Sequence, residues 1–355
     1  MSAKSTISGT IYRFLRPLLF AFPPEAMHGF TGGLMRFVYC IPPLRALVRK
    51  MYCVKHTSLE REFCGLKFSN PVGLAAGFDK NATLYRAFSM LGFSFIEIGT
   101  VTPKGQSGNP KPRLFRIVKD YALLNRMGFN NNGVEAAVKQ LKGKRPNVVI
   151  GGNIGKNTAT PNEDAPADYL ECFRMLYPYV DYFTVNVSCP NVANLSALQN
   201  INSLSNILTA VLEERDRQEY RKPVLVKISP DISFAHLDEI LEIAEKMSVD
   251  GIVAVNTTIT RNNLTIDNEQ IERLGNGGLS GKPLTQKALE TVSYIHQRTG
   301  GRMPIIGVGG IMTARDAINM INAGATLVQI YSGFIYSGPS LVKKINRAYK
   351  DSFVE

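Results

Sequence analysis

The segment Asn186-Val187-Ser188-Cys189-Pro190-Asn191 sets a thiol between two carboxamides. A thiol, with a reference pKa of about 8.5, works as a general base once partly ionised. Amides donate and accept hydrogen bonds without titrating. Asn125, Asn153 and Asn256 recur near the ends of apolar runs, so the set suits a flat ligand edged with carbonyls, N–H groups and a carboxylate. Lys80 and Lys227 also close apolar runs. Each reads as a fixed cation for developing negative charge or as an amine for Schiff-base chemistry. Glycine-rich turns at 277–281, 307–310 and 331–333 offer backbone N–H groups to a phosphate. No Ser-His-Asp arrangement is present, and His28, His56, His236 and His296 lie away from these motifs. A hydrolase is disfavoured.

Residues of this kind need a frame that ends many strands at one place. From residue 70 onward, short β-branched runs recur at 71–77, 95–101, 148–155, 182–188, 223–229, 251–257, 304–310 and 327–333. Between most of them apolar residues repeat at helical spacing, as in 237–247, 285–298 and 314–323. The runs are apolar nearly throughout, the pattern of parallel strands buried on both faces. Eight β-then-α units predict an α/β fold, a (β/α)8 TIM barrel. The count of eight argues against an open doubly wound sheet. Polar residues close seven of the runs: Asp79-Lys80, Thr100, Asn153, Asn186, Lys227, Asn256-Thr257 and Ser332. That rim of a TIM barrel is where active sites are built.

Residues 1–55 read as a separate helical unit ahead of a barrel domain over 56–355. Ile11, Phe14, Leu15, Leu18, Leu19 and Phe22 stripe one helix, ended by Pro23-Pro24. Phe30, Leu34, Phe37, Val38 and Ile41 stripe a second, stopped by Pro42-Pro43, and a short basic helix follows over 44–52. Such a hairpin cannot bury both apolar faces by itself. The chain of 355 residues is 45% hydrophobic and 20% charged, ordinary for a globular protein, with a net charge of +12. Residues 1–55 hold eight Lys or Arg and one acid, Glu25, so +7 of that charge lies there. Apolar faces flanked by positive charge favour an anchor on an anionic membrane surface over packing on the barrel alone. No apolar run reaches the roughly 20 residues of a membrane span. Arg13 and Arg16 interrupt the early apolar stretch, against a secretory signal. Five cysteines, odd in number and without CxxC spacing, disfavour a zinc site or disulfides. Cys40, Cys53, Cys64 and Cys172 read as packing residues, and no metal is expected.

The blocks 73–82 (GLAAGFDKNA), 97–116 (EIGTVTPKGQSGNPKPRLFR), 125–133 (NRMGFNNNG), 152–157 (GNIGKN), 185–191 (VNVSCPN), 277–281 (GGLSG) and 327–339 (LVQIYSGFIYSGP) resemble the dihydroorotate dehydrogenase family. The resemblance runs from about residue 10 to about 345. The helical hairpin and the PRLFR and NRMGFNNNG blocks resemble its membrane-associated, quinone-reducing class 2. That resemblance implies an FMN-containing barrel that oxidises dihydroorotate to orotate in pyrimidine synthesis. It implies FMN contacts at Ala76, Gly77, Lys80, Thr100, Asn153, Asn186 and Lys227, and at Val255, Gly278, Gly309, Gly310, Tyr331 and Ser332. Substrate would meet Lys80, Asn125, Arg126, Met127, Gly128, Phe129, Asn186, Asn191, Asn256 and Thr257. Cys189 would take the proton from C5 while hydride leaves C6. Electrons would pass to a quinone entering between the N-terminal helices and the barrel, near His28 and Arg116.

Three positions depart from the class 2 pattern. Cys189 stands where class 2 usually has Ser and soluble class 1 has Cys. Residues 192–196 read Val-Ala-Asn-Leu-Ser in place of Thr-Pro-Gly-Leu-Arg, and Val255 replaces a frequent Thr. Cys189 keeps a soluble-type enzyme using fumarate or NAD as one alternative. A flavin barrel reducing uridine in tRNA is another, disfavoured because the positive charge lies at the apolar N-terminus and little chain follows the eighth strand. A non-catalytic flavin-binding protein would leave the rim residues idle. The expected setting is peripheral, on the cytoplasmic side of a cell inner membrane, as a monomer or weak dimer without nucleic acid.

Overall fold

The computed structural model describes residues 7–188, 198, 200–262 and 264–353. Eight strands close a parallel barrel: β1 (Val72–Asp79), β2 (Phe95–Val101), β3 (Val149–Ile154), β4 (Tyr182–Asn186), β5 (Val224–Ile228), β6 (Gly251–Ala254), β7 (Ile305–Val308) and β8 (Leu327–Ile330). Each pairs with the next, and β8 returns to β1. Their apolar residues are buried on both faces, by the outer helices and by the barrel interior. Several strands stop before the polar groups expected at their ends. Asn256, Thr257, Gly309 and Gly310 therefore stand on loops above the barrel, and Ser332 opens a short helix, Ser332–Ser337. Inside, Gly151 is required by close approach: a Cβ there would lie 2.2 Å from Cζ of Tyr182.

Among the described residues three small sheets escaped the sequence reading, and one of them bears on the site. Leu114–Ile117, Ala122–Asn125 and Gly278–Gly281 form an antiparallel sheet at the mouth of the barrel. The expected glycine-rich turn at 277–281 is thus largely a strand, paired so that Gly278 faces Asn125.

Ahead of the barrel run α1 (Ile7–Phe20), α2 (Pro24–Cys40) and α3 (Pro42–Tyr52). The helices dock through polar groups and a few apolar side chains, Phe20 against Tyr336 and Met35, Val48 and Tyr52 against the main core. The Tyr12 hydroxyl donates to the Ile335 carbonyl, and Arg16 donates to that of Tyr336 at 3.1 Å. Arg116 reaches from the mouth sheet to the carbonyls of Phe20 and Phe22, at 3.3 and 2.7 Å. A cation there complements the C-terminal end of α1. The apolar stripes face outward instead: Phe14 is 79% exposed, and Phe30 and Phe37 are each 63% exposed. Cys40, at the end of α2, is also exposed, contrary to its reading as a packing residue. Among the described residues no helix is long and apolar enough to cross a membrane.

The acid Glu25 pins α2. Buried Arg113 donates Nη2 to Oε1 of Glu25 at 2.7 Å, while its Nη1 holds the carbonyls of Ser107 and Asn109. That hydrogen bond holds the Glu25 carboxyl below its ordinary value. The stabilisation is therefore present at neutral pH and lost as pH falls through the lowered value. Glu25→Gln is expected to speed limited proteolysis within residues 7–52 at neutral pH while leaving the barrel's unfolding temperature unchanged.

Candidate active site

Rim side chains converge in a cleft at the C-terminal end of the barrel. Its wall includes Ala76, Gly77, Lys80 and Thr100, then Asn186, Lys227 and Val255, with Gly309, Gly310, Tyr331 and Ser332 closing the circle. Asn125, Met127, Gly128, Phe129, Asn256 and Thr257 line the same cleft. Register aligns the chemistry: Asn186 on β4 pairs with Lys227 on β5. Lys227 is 6% exposed, whereas Lys80 is half-buried and donates to Oδ1 of Asn130 at 2.6 Å.

The amides form one chain of hydrogen bonds. Thr100 donates to Oδ1 of Asn153 at 2.5 Å, and Nδ2 of Asn186 donates to Oγ1 of Thr100 at 2.9 Å. Nδ2 of Asn256 donates to Oγ of Ser188 at 2.9 Å and to Oδ1 of Asn186 at 3.3 Å. Such a chain holds each amide in one orientation and leaves little to reorganise when a ligand binds. Ser280 and Ser332 meet at 2.9 Å across the mouth.

A second cavity, of about 530 Å³, opens between the helices and the barrel. Its volume lies in the usual range for small-molecule sites. Tyr12, Leu19, Phe20 and Leu34 line it from the helices, Phe78 and Phe334 from the barrel. His28 and Arg116 both face it. The His28 ring meets Phe78 edge to face at 5.1 Å. Burial, then the charge of Lys80, holds His28 below its ordinary pKa, so the neutral ring predominates at pH 7. Asp79, fully buried beneath, accepts backbone N–H bonds from Thr83, Leu84 and Tyr85 at 2.7–2.8 Å. Burial pushes its carboxyl up to about 6.

Gly77, Lys80, Met127 and Tyr331 line both cavities. Gly77 has φ +92°, a left-handed conformation natural to glycine, and a Cβ would sit 3.5 Å from the Tyr331 ring. The wall between the cavities is therefore thin here.

Other sequence-expected residues lie elsewhere. Asn153 is fully buried behind the wall. Gly278 sits in the mouth sheet, its carbonyl accepting from Asn125 at 3.2 Å. The guanidinium of Arg126 turns away from the cleft to the carbonyls of Leu274 and Asn276 and lies over the Phe115 ring. Cys189 and Asn191 fall outside the described residues. Sequence reasoning missed Glu97, Tyr182 and Gln329, which meet inside the barrel. A signal was available: a carboxylate and an amide in the middle of strands buried on both faces must be partnered. Among the described residues no three His, Cys, Asp or Glu gather as a metal site.

A family model described as dihydroorotate dehydrogenase matches residues 58–352. The chain belongs to the dihydroorotate dehydrogenase family. It is 51% identical, over 94% of its length and 96% of the relative's, to the dihydroorotate dehydrogenase (quinone) of Christiangramia forsetii. It is 46% identical to the protein of the same name from Mycobacterium tuberculosis, over 95% of this chain and 92% of the relative. Among solved structures, dihydroorotate dehydrogenase from Eimeria tenella in complex with ferulenol superposes with a TM-score of 0.83 at 33% identity, covering 94% of each chain. The ligand-free form from the same organism gives 0.78 at 36% identity, over 85% of this chain and 90% of that one.

Proposed function

We propose that this protein oxidises dihydroorotate to orotate on bound FMN and passes the electrons to a membrane quinone, a step of de novo UMP synthesis. The observation that carries the reading is the pair of cavities meeting at Gly77, Lys80, Met127 and Tyr331. One is ringed by amides and lysines at the barrel rim, and the other opens among outward-facing hydrophobic helices. A polar pyrimidine and a quinone thus have separate seats on either side of one electron carrier.

The cleft fits a flavin mononucleotide. Gln329 lines it and carries a buried oxygen, Oε1, with no hydrogen-bond partner. Lys227 adds a cation, and backbone at 309–310 and 331–332 offers N–H groups for a phosphate. FMN would be held by Ala76, Gly77, Thr100, Asn186 and Lys227, with Val255, Gly309, Gly310, Tyr331 and Ser332. Asn153 supports this set from behind. When bound, the flavin accepts a hydride equivalent from the substrate and releases two electrons to the quinone. Asn125, Asn186, Asn191, Asn256 and Thr257 orient the pyrimidine, whose carboxylate meets Lys80. Met127, Gly128 and Phe129 close over it and exclude water. Cys189 takes the C5 proton. The backbone of Arg126 and Gly278 shapes the mouth.

Residues 1–55 act as the quinone-side unit and 56–355 as the catalytic domain. The exposed stripe of Phe14, Phe30 and Phe37, beside Arg13 and Arg36, supports peripheral binding to the cytoplasmic face of a cell inner membrane. The protein acts as a monomer or weak dimer. Neutral His28 and the Arg116 guanidinium hydrogen-bond the quinone oxygens. Replacing both by Ala is expected to raise the quinone KM about tenfold or more, one to two lost hydrogen bonds, with the dihydroorotate KM unchanged. An unchanged quinone KM would remove them from the quinone site.

The acceptor is tested by steady-state turnover of dihydroorotate with a short-chain quinone, fumarate or NAD+. Quinone turnover is expected. Turnover with fumarate or NAD+ alone would favour the soluble-type alternative that Cys189 raises.

A further inference from the structure

Inside the barrel, one hydrogen bond behind the wall of the cleft, sits a buried carboxylate. Glu97 is fully buried in the middle of β2. It accepts from Nδ2 of Asn153 at 2.8 Å, Nε2 of Gln329 at 2.8 Å and the hydroxyl of Tyr182 at 3.0 Å. Among the described residues no salt bridge reaches it. All three partners are neutral donors. Burial, then the Glu97 charge, pushes the Tyr182 phenol well above its ordinary pKa, so it stays protonated and donating.

A carboxylate that only accepts dictates the direction of everything bonded to it. Asn153 must turn its NH2 toward Glu97. Its Oδ1 then faces Thr100 and Asn186, which both donate to it, at 2.5 and 3.3 Å. Gln329 must likewise turn Nε2 inward. That leaves its Oε1 buried and without a partner, on a side chain lining the cleft. A buried acceptor left so is costly unless a ligand brings a donor. A ring N–H or side-chain hydroxyl of a flavin is such a donor.

We propose that Glu97 is a positioning residue for the flavin: its carboxylate fixes the donor and acceptor faces of Asn153 and Gln329 and places a negative charge behind the isoalloxazine site. The proposal rests on the flavin reading above and extends it to a residue beyond the cleft wall.

Glu97→Gln keeps the shape, removes the charge and adds an NH2 that needs an acceptor of its own. Asn153 is displaced if the NH2 takes the Oε1 place, Gln329 and Tyr182 if it takes the Oε2 place, and Asn153 or Gln329 is then free to turn over. Two quantities report this: FMN binding to stripped protein, and the reduction potential of the reloaded protein. In Glu97→Gln the FMN dissociation constant is expected to rise about tenfold, as for the loss of one well-buried hydrogen bond. The reduction equilibrium is expected to move about tenfold toward reduced flavin, about +30 mV for a two-electron couple. A buried negative charge would no longer oppose electron gain. Gln329→Met removes the free acceptor and keeps the carboxylate. It is expected to weaken FMN binding similarly and leave the potential near that of the parent.

Parental FMN affinity and potential in Glu97→Gln would overturn the role of Glu97 and leave the flavin reading standing. If that variant does not fold, Gln329→Met decides, and parental affinity there would overturn the proposal. A parent protein that takes up no FMN would overturn the flavin reading and the proposal together.

Discussion

Cys189→Ala is expected to slow reduction of the bound flavin by dihydroorotate roughly 10²–10⁴-fold, the range that a positioned general base supplies. FMN content should be unchanged, because the residues proposed to hold the flavin lie on or just after the barrel strands other than at position 189. Reoxidation by quinone of chemically reduced protein should also be unchanged, because that half-reaction needs no proton from C5. Cys189→Ser gives the more specific outcome. A base works deprotonated, so with a thiol the rate falls as pH drops through the thiol's pKa. A serine hydroxyl ionises well above a thiol. The rising limb of the pH profile is therefore expected to move to higher pH in Cys189→Ser, with activity at lower pH lost first. An unshifted profile in stopped-flow reduction would exclude Cys189 as the titrating base.

Lys80→Met is the second large effect. Lys80 lines both cavities and is fixed by Asn130 at 2.6 Å. A preorganised cation beside a site of developing negative charge is typically worth roughly 10²–10³-fold in rate, and a loss of that size in kcat is expected. The substitution also reaches into the second cavity. The charge of Lys80 is the second cause, after burial, that holds His28 below its ordinary pKa. Without that charge the His28 pKa rises, while burial still keeps it depressed. At mildly acidic pH a larger fraction of His28 is then protonated. The pH profile of quinone reoxidation should therefore shift upward in Lys80→Met. A Lys80→Met protein with normal kcat, or one whose quinone step keeps the parental pH profile, would remove Lys80 from the corresponding role.

Much of this arrangement is legible in the sequence. Parallel strands buried on both faces leave near-continuous apolar runs, so the eight strands and their polar ends could be read directly. The hairpin was legible because proline pairs bracket its helices and its stripes keep a helical period. The mouth sheet was not, because residues 114–125 mix Arg116, Lys119 and Asp120 with apolar residues and keep no clean alternation. Its pairing with 278–281 joins segments over 150 residues apart, as between Asn125 and Gly278, and local pattern carries no trace of that. Arg126 shows the opposite failure. Its neighbours Asn125, Met127 and Gly128 do line the cleft, but a guanidinium long enough to reach the carbonyls of Leu274 and Asn276 is held there instead. Glu97 stands inside the 97–116 block, where a charge in a doubly buried strand is itself a signal.

The outward-facing stripe bears on how the quinone arrives. Large apolar side chains exposed together, beside basic residues, mark an interaction surface on a protein that otherwise buries its hydrophobic groups. The second cavity opens among these same helices, so on the membrane surface proposed above a lipid-soluble acceptor would reach His28 and Arg116 without crossing water.

The most direct measurement separates the two half-reactions. FMN-loaded protein is mixed anaerobically with dihydroorotate, and the visible flavin absorbance is followed. A short-chain quinone, fumarate or NAD+ is then added to separate portions. Bleaching by dihydroorotate, rapidly reversed by the quinone and not by the others, is the expected result. No bleaching would contradict dihydroorotate as the substrate, and recovery with fumarate or NAD+ but not quinone would contradict the second cavity as the quinone site.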